Sequence, residues 1–265
     1  MTRYVVHRGG AALWPENTLL AFRNAIALGV RTLEFDVHGT VDGDVAVIHD
    51  PTVDRTTNGV GAVGRLTIGE LRGLRVRTRE GQLTEEWVPT LAEVLALAGP
   101  AGVALLVEVK TPGPAVAYER VAGAVKTTPG ARYDGLEARV LARLRDAGIA
   151  ERSIIMAFNP AVIAEVRALA PRQMTALLVE RRHIEGIRAS STEPVEWAAR
   201  TGANFLGIHY SVCDASTVAA ARAAGLALGV YTVNDEADVR RLAALGVDVI
   251  ITDRADLVAT LQSAG

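Results

Sequence analysis

Short hydrophobic runs recur along the chain, and each is followed by a segment with the apolar spacing of an amphipathic helix. After the first run, Tyr4-Val5-Val6, helix-spaced apolar residues occupy positions 19–28. The same alternation continues towards the C-terminal end of the sequence. It predicts eight strands, at residues 4–7, 32–37, 104–110, 153–158, 174–179, 204–209, 227–233 and 247–252.

Helices are predicted between these strands. Asn17 or Thr18 is expected to cap the first, and Thr90 with Glu93 has the capping-box spacing at the start of a helix over residues 90–98. The others are expected at residues 160–169, 193–201, 214–224 and 235–245, with a helix-prone segment that ends near Gly148 and a short last helix. Eight parallel strands alternating with helices predict an α/β fold, the (β/α)₈ TIM barrel. A doubly wound open sheet is the alternative, and we prefer the barrel.

Residues 38–88 do not follow this repeat. Val41-Asp42-Gly43-Asp44 has the composition of a turn, and residues 45–48 are strand-forming. We therefore predict a single domain of residues 1–265 with a small insertion at about 38–88, after strand 2, that contains a hairpin. We interpret the long stretch of residues 112–135 as a surface loop in the helical region, with a flap near the barrel mouth as the alternative.

Charge and composition disfavour several classes of partner. The net charge is −2, with 49% hydrophobic and 22% charged residues, so no excess of positive charge indicates a nucleic acid or a membrane surface. The single cysteine, Cys213, excludes an internal disulfide and fits a reducing compartment. There is neither a signal-peptide pattern nor an apolar run of transmembrane length. We therefore expect a cytoplasmic protein without nucleic-acid or membrane partners.

The first candidate functional residues lie in strand 2. Its two-residue period places Glu34 and Asp36 on one face, opposite three apolar residues. Burying two carboxylates is costly unless positive charge offsets them, and carboxylate oxygens suit Mg²⁺ or Ca²⁺. The predicted hairpin would return His49 to the same neighbourhood. On this stretch alone, a surface hairpin with acidic residues facing water is an equal alternative.

In a TIM barrel, the carboxyl ends of the strands form the active face. Ionisable and aromatic residues stand at most of these ends. They are His7, Arg8, Glu34, Asp36, Glu108, Lys110, Phe158, His209 and Tyr231. Carboxylates suit a metal ion, cations suit a phosphate, and imidazoles transfer protons. The set therefore indicates metal-assisted phosphoryl transfer.

Short motifs also stand along the whole chain in the order found in one enzyme family. They are His7-Arg8-Gly9, Pro15-Glu16-Asn17-Thr18, Glu34-Phe35-Asp36-Val37, His49-Asp50, Asp54-Arg55-Thr56-Thr57, Pro89-Thr90-Leu91, Glu108-Val109-Lys110, Tyr231-Thr232-Val233-Asn234 and Ile251-Thr252-Asp253-Arg254. As an ordered set they resemble the glycerophosphodiester phosphodiesterase family, whose fold is a (β/α)₈ barrel with an insertion after strand 2. The resemblance implies metal-dependent hydrolysis of glycerophosphodiesters, such as glycerophosphocholine or glycerophosphoethanolamine, to sn-glycerol 3-phosphate and an alcohol.

The resemblance assigns the chemistry to five residues. His7 and His49 would be the general acid–base pair. Glu34, Asp36 and Glu108 would hold one divalent metal ion, Mg²⁺ or Ca²⁺, with Mn²⁺ also compatible. Two imidazoles that titrate near neutrality can divide the work, one accepting a proton and one donating it.

The resemblance also assigns the contacts with a small-molecule glycerophosphodiester substrate. Arg8 and Lys110 would bind the phosphate, and Phe158 and Tyr231 would line the glycerol or leaving-group side. The family often has Trp in place of Tyr231, and Ser in place of Ala157 before the phenylalanine. Both differences concern substrate preference and leave the type of reaction intact.

The other candidates have structural interpretations. We expect His38 to support the site from behind or to face solvent, His183 to lie in a polar surface loop, and Thr252-Asp253 to cap the last helix. Cys213 is expected to pack as a small hydrophobic residue. For His209, substrate contact and a structural role are both open.

Two alternative functions remain. One is a lipid head-group phosphodiesterase or lyase that forms a cyclic phosphate, but the sequence lacks the apolar rim that a membrane-facing enzyme needs. The other is a catalytically silent phosphate-binding barrel. A silent relative should have lost a histidine or a metal carboxylate, and all five of those residues are present.

Overall fold

The computed structural model describes residues 2–263, except for the side chain of Ser263. The strands are β1 (Arg3–Val6), β2 (Thr32–Gly39), β3 (Val45–Val47), β4 (Ala104–Val109), β5 (Val116–Val121), β6 (Ala124–Pro129), β7 (Ser153–Ala157), β8 (Met174–Val179), β9 (Phe205–His209), β10 (Ala227–Tyr231) and β11 (Val249–Thr252). The helices are α1 (Leu19–Ala27), α2 (Ile68–Arg72), α3 (Leu91–Ala101), α4 (Leu136–Asp146), α5 (Pro160–Leu169), α6 (Arg181–Gly186), α7 (Glu193–Thr201), α8 (Ala215–Ala223), α9 (Glu236–Leu245) and α10 (Ala255–Ser263).

Eight of these strands form a closed parallel barrel. Neighbouring strands pair in the order β1, β2, β4, β7, β8, β9, β10 and β11, and β11 pairs again with β1. The return to β1 excludes the doubly wound sheet, because an open sheet would leave its first and last strands unpaired with each other. The predicted (β/α)₈ barrel is therefore confirmed.

Alternation along the strands separates two layers of core. On β2, Leu33, Phe35 and Val37 are fully buried in the cluster shared with the surrounding helices. A smaller apolar cluster fills the barrel interior, with members such as Val5, Leu106 and Ile251. Glu34 and Asp36 have the opposite parity to the helix-facing residues and therefore point into the barrel.

Local signals place the helix starts as predicted. Thr18 accepts a hydrogen bond from the Ala21 N–H at the start of α1. Thr90 and Glu93 form a capping box at the start of α3, because each side chain accepts a bond from the other's backbone N–H.

The segment between β2 and α3 forms the insertion after strand 2. β3 runs antiparallel to β2, with Val37 paired to Val47, so the predicted hairpin is confirmed. The segment has its own apolar cluster, which includes Ile48, Val53 and Leu71. This cluster holds the insertion together, and the pairing of β3 with β2, extended by the bond from the Ile48 N–H to the Asp36 carbonyl at 3.0 Å, brings His49 back towards β2.

Two local predictions were wrong. Residues 112–135 are not a surface loop, since β5 and β6 form an antiparallel hairpin that precedes α4. Alternating burial of Val116 and Tyr118 stabilises it, and the Tyr118 ring stacks on Trp197 with centroids 4.5 Å apart. The second wrong prediction is the polar loop after β8, because these residues form the six-residue helix α6. Both elements depend on contacts between distant parts of the chain.

We expect Gly130→Ala to destabilise the base of this hairpin. A Cβ at Gly130 would lie 1.9 Å from the Pro114 carbonyl oxygen, so the backbone must move, at a cost of about 1–3 kcal/mol. Thermal unfolding measures the effect. Gly113→Ala is the matched control, because a Cβ there meets nothing within 4 Å. Equal melting temperatures for the two variants would contradict this account of the hairpin base.

Candidate active site

A cleft of about 630 Å³ opens at the carboxyl ends of the barrel strands. Seven of the nine predicted site residues line it: His7, Arg8, His49, Glu108, Lys110, Phe158 and Tyr231. The other two, Glu34 and Asp36, lie beneath its floor with exposed fractions of 1% and 0%. The fold therefore brings all nine to one mouth, from β1, β2, β4, β7, β10 and the insertion.

The first of these residues occupy a tight turn after β1. Arg8 has a φ of 51°, in the left-handed region, and Gly9 has a φ of 79°. A Cβ at Gly9 would lie 2.8 Å from the Ala21 Cβ, so only glycine lets the turn pack this closely on α1. In this conformation the Arg8 N–H points at Glu34 and donates to its Oε2 at 3.1 Å.

Three carboxylates converge on the cleft floor. Glu34, Asp36 and Glu108 each offer an oxygen within 4.8 Å of the others, and all three side chains are buried. The parallel register places Asp36 directly beside Glu108 on neighbouring strands. Such an all-oxygen set suits Mg²⁺ or Ca²⁺, so this triad could hold a metal ion.

Two cations offset part of this negative charge. Lys110 Nζ lies 2.6 Å from Glu108 Oε1 and 3.0 Å from Asp36 Oδ1. Arg8 Nε lies 3.2 Å from Asp36 Oδ2. With three carboxylates and two cations, the cluster keeps an excess of one negative charge when every group is ionised.

The pKa values in the cluster reflect this imbalance. Burial, together with repulsion from Asp36 and Glu108, raises the pKa of Glu34 well above its usual range. Burial acts in the same direction on Asp36, but the nearby Lys110 and Arg8 charges hold its pKa well below its usual range. Asp36 Oδ1 is buried without a hydrogen bond of good geometry. A bound cation would offset the excess negative charge and give this oxygen a partner, so the residues present fit a divalent metal ion.

His7 stands beside the triad with its ring fixed from behind. Its Nδ1 lies 2.7 Å from Asp253 Oδ1, and its Nε2 lies 3.7 Å from Glu34 Oε2. Asn234 Nδ2 donates to the second oxygen of Asp253 at 2.7 Å. We predicted that Thr252-Asp253 caps the last helix. The Thr252 hydroxyl does accept a bond from the Arg254 N–H just before α10, but the Asp253 carboxylate binds His7 and Asn234 instead. Its place just after the last barrel strand was the signal that could have indicated this role.

His49 is held by a carboxylate in the same way. Its Nδ1 lies 2.6 Å from Asp50 Oδ1, and Asp50 accepts from Arg55 Nε at 2.6 Å. Arg55 also donates two hydrogen bonds to Glu16, which in turn accepts from Arg8 at 3.1 Å. This alternating series of charges, from His49 to Arg8, is the charge chain. It joins the insertion to the turn after β1.

His38 lies at the inner edge of the cleft and supports His49, which is one of its two predicted roles. The ring is buried, at 1% exposure, so solvent exposure was the wrong alternative. Its Nε2 lies 3.0 Å from the His49 carbonyl oxygen, and its Nδ1 lies 2.9 Å from the Tyr133 hydroxyl. Burial lowers the pKa of His38 to about 4, so the ring is neutral near pH 7. No sequence pattern indicated a role for Tyr133.

Aromatic rings form the opposite wall of the cleft. Phe158 and Tyr231 meet edge to face at 6.0 Å, and His209 meets Tyr231 at 6.4 Å. The Tyr231 hydroxyl donates to the Val179 carbonyl at 2.9 Å, which fixes its ring. His209 lines the cleft, so its position allows the substrate contact left open by the sequence.

Two residues lie outside the site. His183 was expected in a polar surface loop, but it is half-buried in α6 with its ring 5.1 Å from that of Tyr118. Cys213 is buried as predicted, and burial raises the pKa of its thiol to about 11. Neither residue lines the cleft.

Comparison with known proteins gives a consistent family assignment. The model of the glycerophosphoryl diester phosphodiesterase family matches residues 7–257. A glycerophosphodiester phosphodiesterase from Caldanaerobacter subterraneus subsp. tengcongensis is 32% identical over 265 residues, which cover 100% of this chain and 99% of that protein.

Solved structures share the fold over its whole length. A glycerophosphodiester phosphodiesterase from Agrobacterium tumefaciens has a TM-score of 0.75 and 28% identity, covering 98% of this chain and 100% of its own. A phosphodiesterase from Oleispira antarctica, solved in complex with the product sn-glycerol 3-phosphate, has a TM-score of 0.79 and 25% identity, covering 100% and 96%.

No helix within residues 2–263 is both long enough and apolar enough to cross a membrane. The family match, the full-length relative and the barrel with its acidic cleft all agree. The chain therefore belongs to the glycerophosphoryl diester phosphodiesterase family and is an enzyme with that phosphoric diester hydrolase activity.

Proposed function

We propose that the enzyme hydrolyses small glycerophosphodiesters, such as glycerophosphocholine and glycerophosphoethanolamine, to sn-glycerol 3-phosphate and an alcohol. The reaction requires one divalent metal ion, and His7 and His49 are its general acid–base pair. The observation that carries the proposal is that two carboxylate-bound histidines face one cleft above a buried acidic triad. The product complex of the Oleispira antarctica relative supports sn-glycerol 3-phosphate as the product.

The triad of Glu34, Asp36 and Glu108 would hold the metal ion, which is Mg²⁺ or Ca²⁺, with Mn²⁺ also compatible. When bound, such an ion supplies Lewis-acid stabilisation of negative charge on the phosphoryl oxygens. Arg8 and Lys110 border the triad and the cleft, so each places a positive charge where the phosphate would lie.

The two histidines would move protons at their Nε2 atoms. In both rings the Nδ1 hydrogen is committed to a carboxylate, that of Asp253 for His7 and that of Asp50 for His49. This fixes the tautomer of each neutral ring and leaves Nε2 available as a base. A protonated ring has an Nε2–H that can serve the leaving alkoxide as an acid.

The aromatic wall would position the organic part of the substrate. Phe158 and Tyr231 offer apolar ring surface beside Lys110, whose Nζ lies 5.9 Å from the Phe158 ring centre. The Tyr231 ring is fixed by its own hydroxyl, so it presents a rigid surface to the glycerol or the leaving group. Tyr231, where the family often has the larger Trp, gives this wall its own shape and therefore its own head-group preference. Ala157 does not contribute, because it is fully buried in the core and does not line the cleft.

We also propose that residues 1–265 work as a single catalytic domain whose insertion, at about 38–88, supplies His49. The barrel and the insertion share the charge chain, so neither part of the site is complete without the other. The cytoplasmic location and the lack of nucleic-acid and membrane partners stay predictions from the sequence.

Release of glycerol 3-phosphate from glycerophosphocholine tests the reaction. We expect turnover in the presence of a divalent metal ion, and none in EDTA. His49→Ala should lower kcat by about 10²–10⁴-fold, because it removes a positioned proton-transfer group. The measurement is ³¹P NMR, which separates glycerol 3-phosphate from a cyclic phosphate product.

His183→Gln is the control for this assay, because His183 is a histidine that does not line the cleft. It should retain wild-type turnover. A cyclic phosphate as the end product would contradict hydrolysis and support the lyase alternative. Unchanged turnover in His49→Ala would show that His49 is not a catalytic residue.

Metal binding by the triad should be measurable without turnover. A ligand present at about a hundredfold above its Kd stabilises the folded state by about 2.7 kcal/mol, so Mg²⁺ or Ca²⁺ should raise Tm by about 5 °C or more. Glu108→Gln should abolish the shift, whereas the exposed Glu196→Gln should keep it. A metal-induced shift that persists in Glu108→Gln would place the ion elsewhere.

Asp253→Asn should lower kcat by about ten- to a hundredfold and leave KM unchanged. The amide can present N–H instead of oxygen to His7 Nδ1, which favours the wrong tautomer, whereas substrate contacts are unaffected. Steady-state kinetics measure the two constants. Asp256→Asn is the control, since this exposed carboxylate pairs with Arg254. A change confined to KM would contradict a role in orienting His7.

A further inference from the structure

His49 lies beyond the end of β3, in irregular backbone, so nothing in the sheet ladder holds it directly. Two hydrogen bonds fix the chain at this point. The Ile48 N–H donates to the Asp36 carbonyl at 3.0 Å, and the His49 carbonyl lies 3.0 Å from His38 Nε2. The position of the His49 ring in the cleft therefore depends on the position of the His38 ring.

The hydrogen bonds of His38 have a defined direction. A backbone carbonyl can only accept, so His38 Nε2 must carry the hydrogen that it donates to His49. Nδ1 of the neutral ring is then an acceptor, and the Tyr133 hydroxyl donates to it at 2.9 Å. Tyr133 thereby selects the only neutral tautomer of His38 that can hold the His49 backbone.

Tyr133 is itself held between two parts of the molecule. Its ring packs on Gly39 at the end of β2 and on Gly64 of the insertion, where an added Cβ would come within 3.3 Å and 2.8 Å of ring atoms. The ring also meets His38 edge to face, with centroids 5.6 Å apart. Tyr133 belongs to the connection between the β5–β6 hairpin and α4, which is far from His49 in the sequence.

We propose that His38 and Tyr133 are positioning residues that fix His49 through its backbone, and that Tyr133 couples the connection after the β5–β6 hairpin to catalysis. This inference rests on the proposed role of His49. Although His38 borders the cleft, both of its ring nitrogens are engaged, one by the Tyr133 hydroxyl and one by the His49 carbonyl. The effect of His38 and Tyr133 is on placement, and misplacement of a catalytic group by about 1 Å can cost about a hundredfold in rate.

Tyr133→Phe tests the hydroxyl alone. We expect kcat to fall about five- to tenfold with KM unchanged, because the aromatic ring keeps its packing and only the tautomer selection is lost. Tyr118→Phe is the matched control. Tyr118 is buried and, like Tyr133, packs against a neighbouring aromatic ring. Its hydroxyl has no hydrogen-bond partner among the described residues, so kcat of Tyr118→Phe should stay within about twofold of wild type.

Substitutions at His38 test the other half of the pair. His38→Gln can still donate an N–H to the His49 carbonyl, whereas His38→Leu cannot. We expect kcat to fall about a hundredfold in His38→Leu and clearly less in His38→Gln. If Tyr133 acts through His38, the double variant Tyr133→Phe/His38→Leu should be no slower than His38→Leu.

These measurements separate positioning from general stability. Equal kcat for Tyr133→Phe and Tyr118→Phe, additive losses in the double variant, or no rescue by glutamine would each overturn the inference. Melting temperatures of all variants show whether a loss of kcat merely follows a loss of stability, which would also overturn it. If His49→Ala keeps its activity, the proposed function fails instead, independently of the result at Tyr133.

Discussion

The structure depends on three carboxylates that share the inside of a barrel with only two cations. Glu34, Asp36 and Glu108 are buried on neighbouring strands, where water cannot offset their charges. Arg8 and Lys110 remove two of the three charges, and the remaining one favours a divalent cation. The tight turn after β1 aims Arg8 at this cluster, and glycine at position 9 lets that turn pack closely on α1.

The rest of the site is arranged around that cluster in two halves. The barrel provides His7, held by Asp253 just after the last strand, and the insertion provides His49, held by Asp50. Each histidine thus has its own carboxylate at Nδ1, and both rings line the cleft. The two halves meet through backbone bonds at β2 as well as through charged side chains, so the cleft is shaped by both.

Sequence patterns could predict the barrel and most of its site, because both follow from the short repeat periods of apolar residues in strands and helices. Strand parity places Glu34 and Asp36 inside, and the strand-end rule gathers residues from distant segments. The same patterns could not show the β5–β6 hairpin, whose stability comes from Tyr118 stacking on Trp197. Nor could they show that Tyr133 binds His38, since an unpredicted hairpin lies between the two residues in the sequence. The contact of Asp253 with His7, in contrast, follows the strand-end rule, because Asp253 comes directly after the last barrel strand.

The charge chain from His49 to Arg8 also limits how this protein can diverge. Glu16 belongs to the loop after β1, whereas Asp50 and Arg55 belong to the insertion, and the bonds between them cross from one to the other. An insertion taken from a relative would place its own residues, instead of this Asp50 and Arg55, against the Glu16 of this chain. A functional exchange of the insertion between homologues therefore requires that the loop after β1 be exchanged together with it.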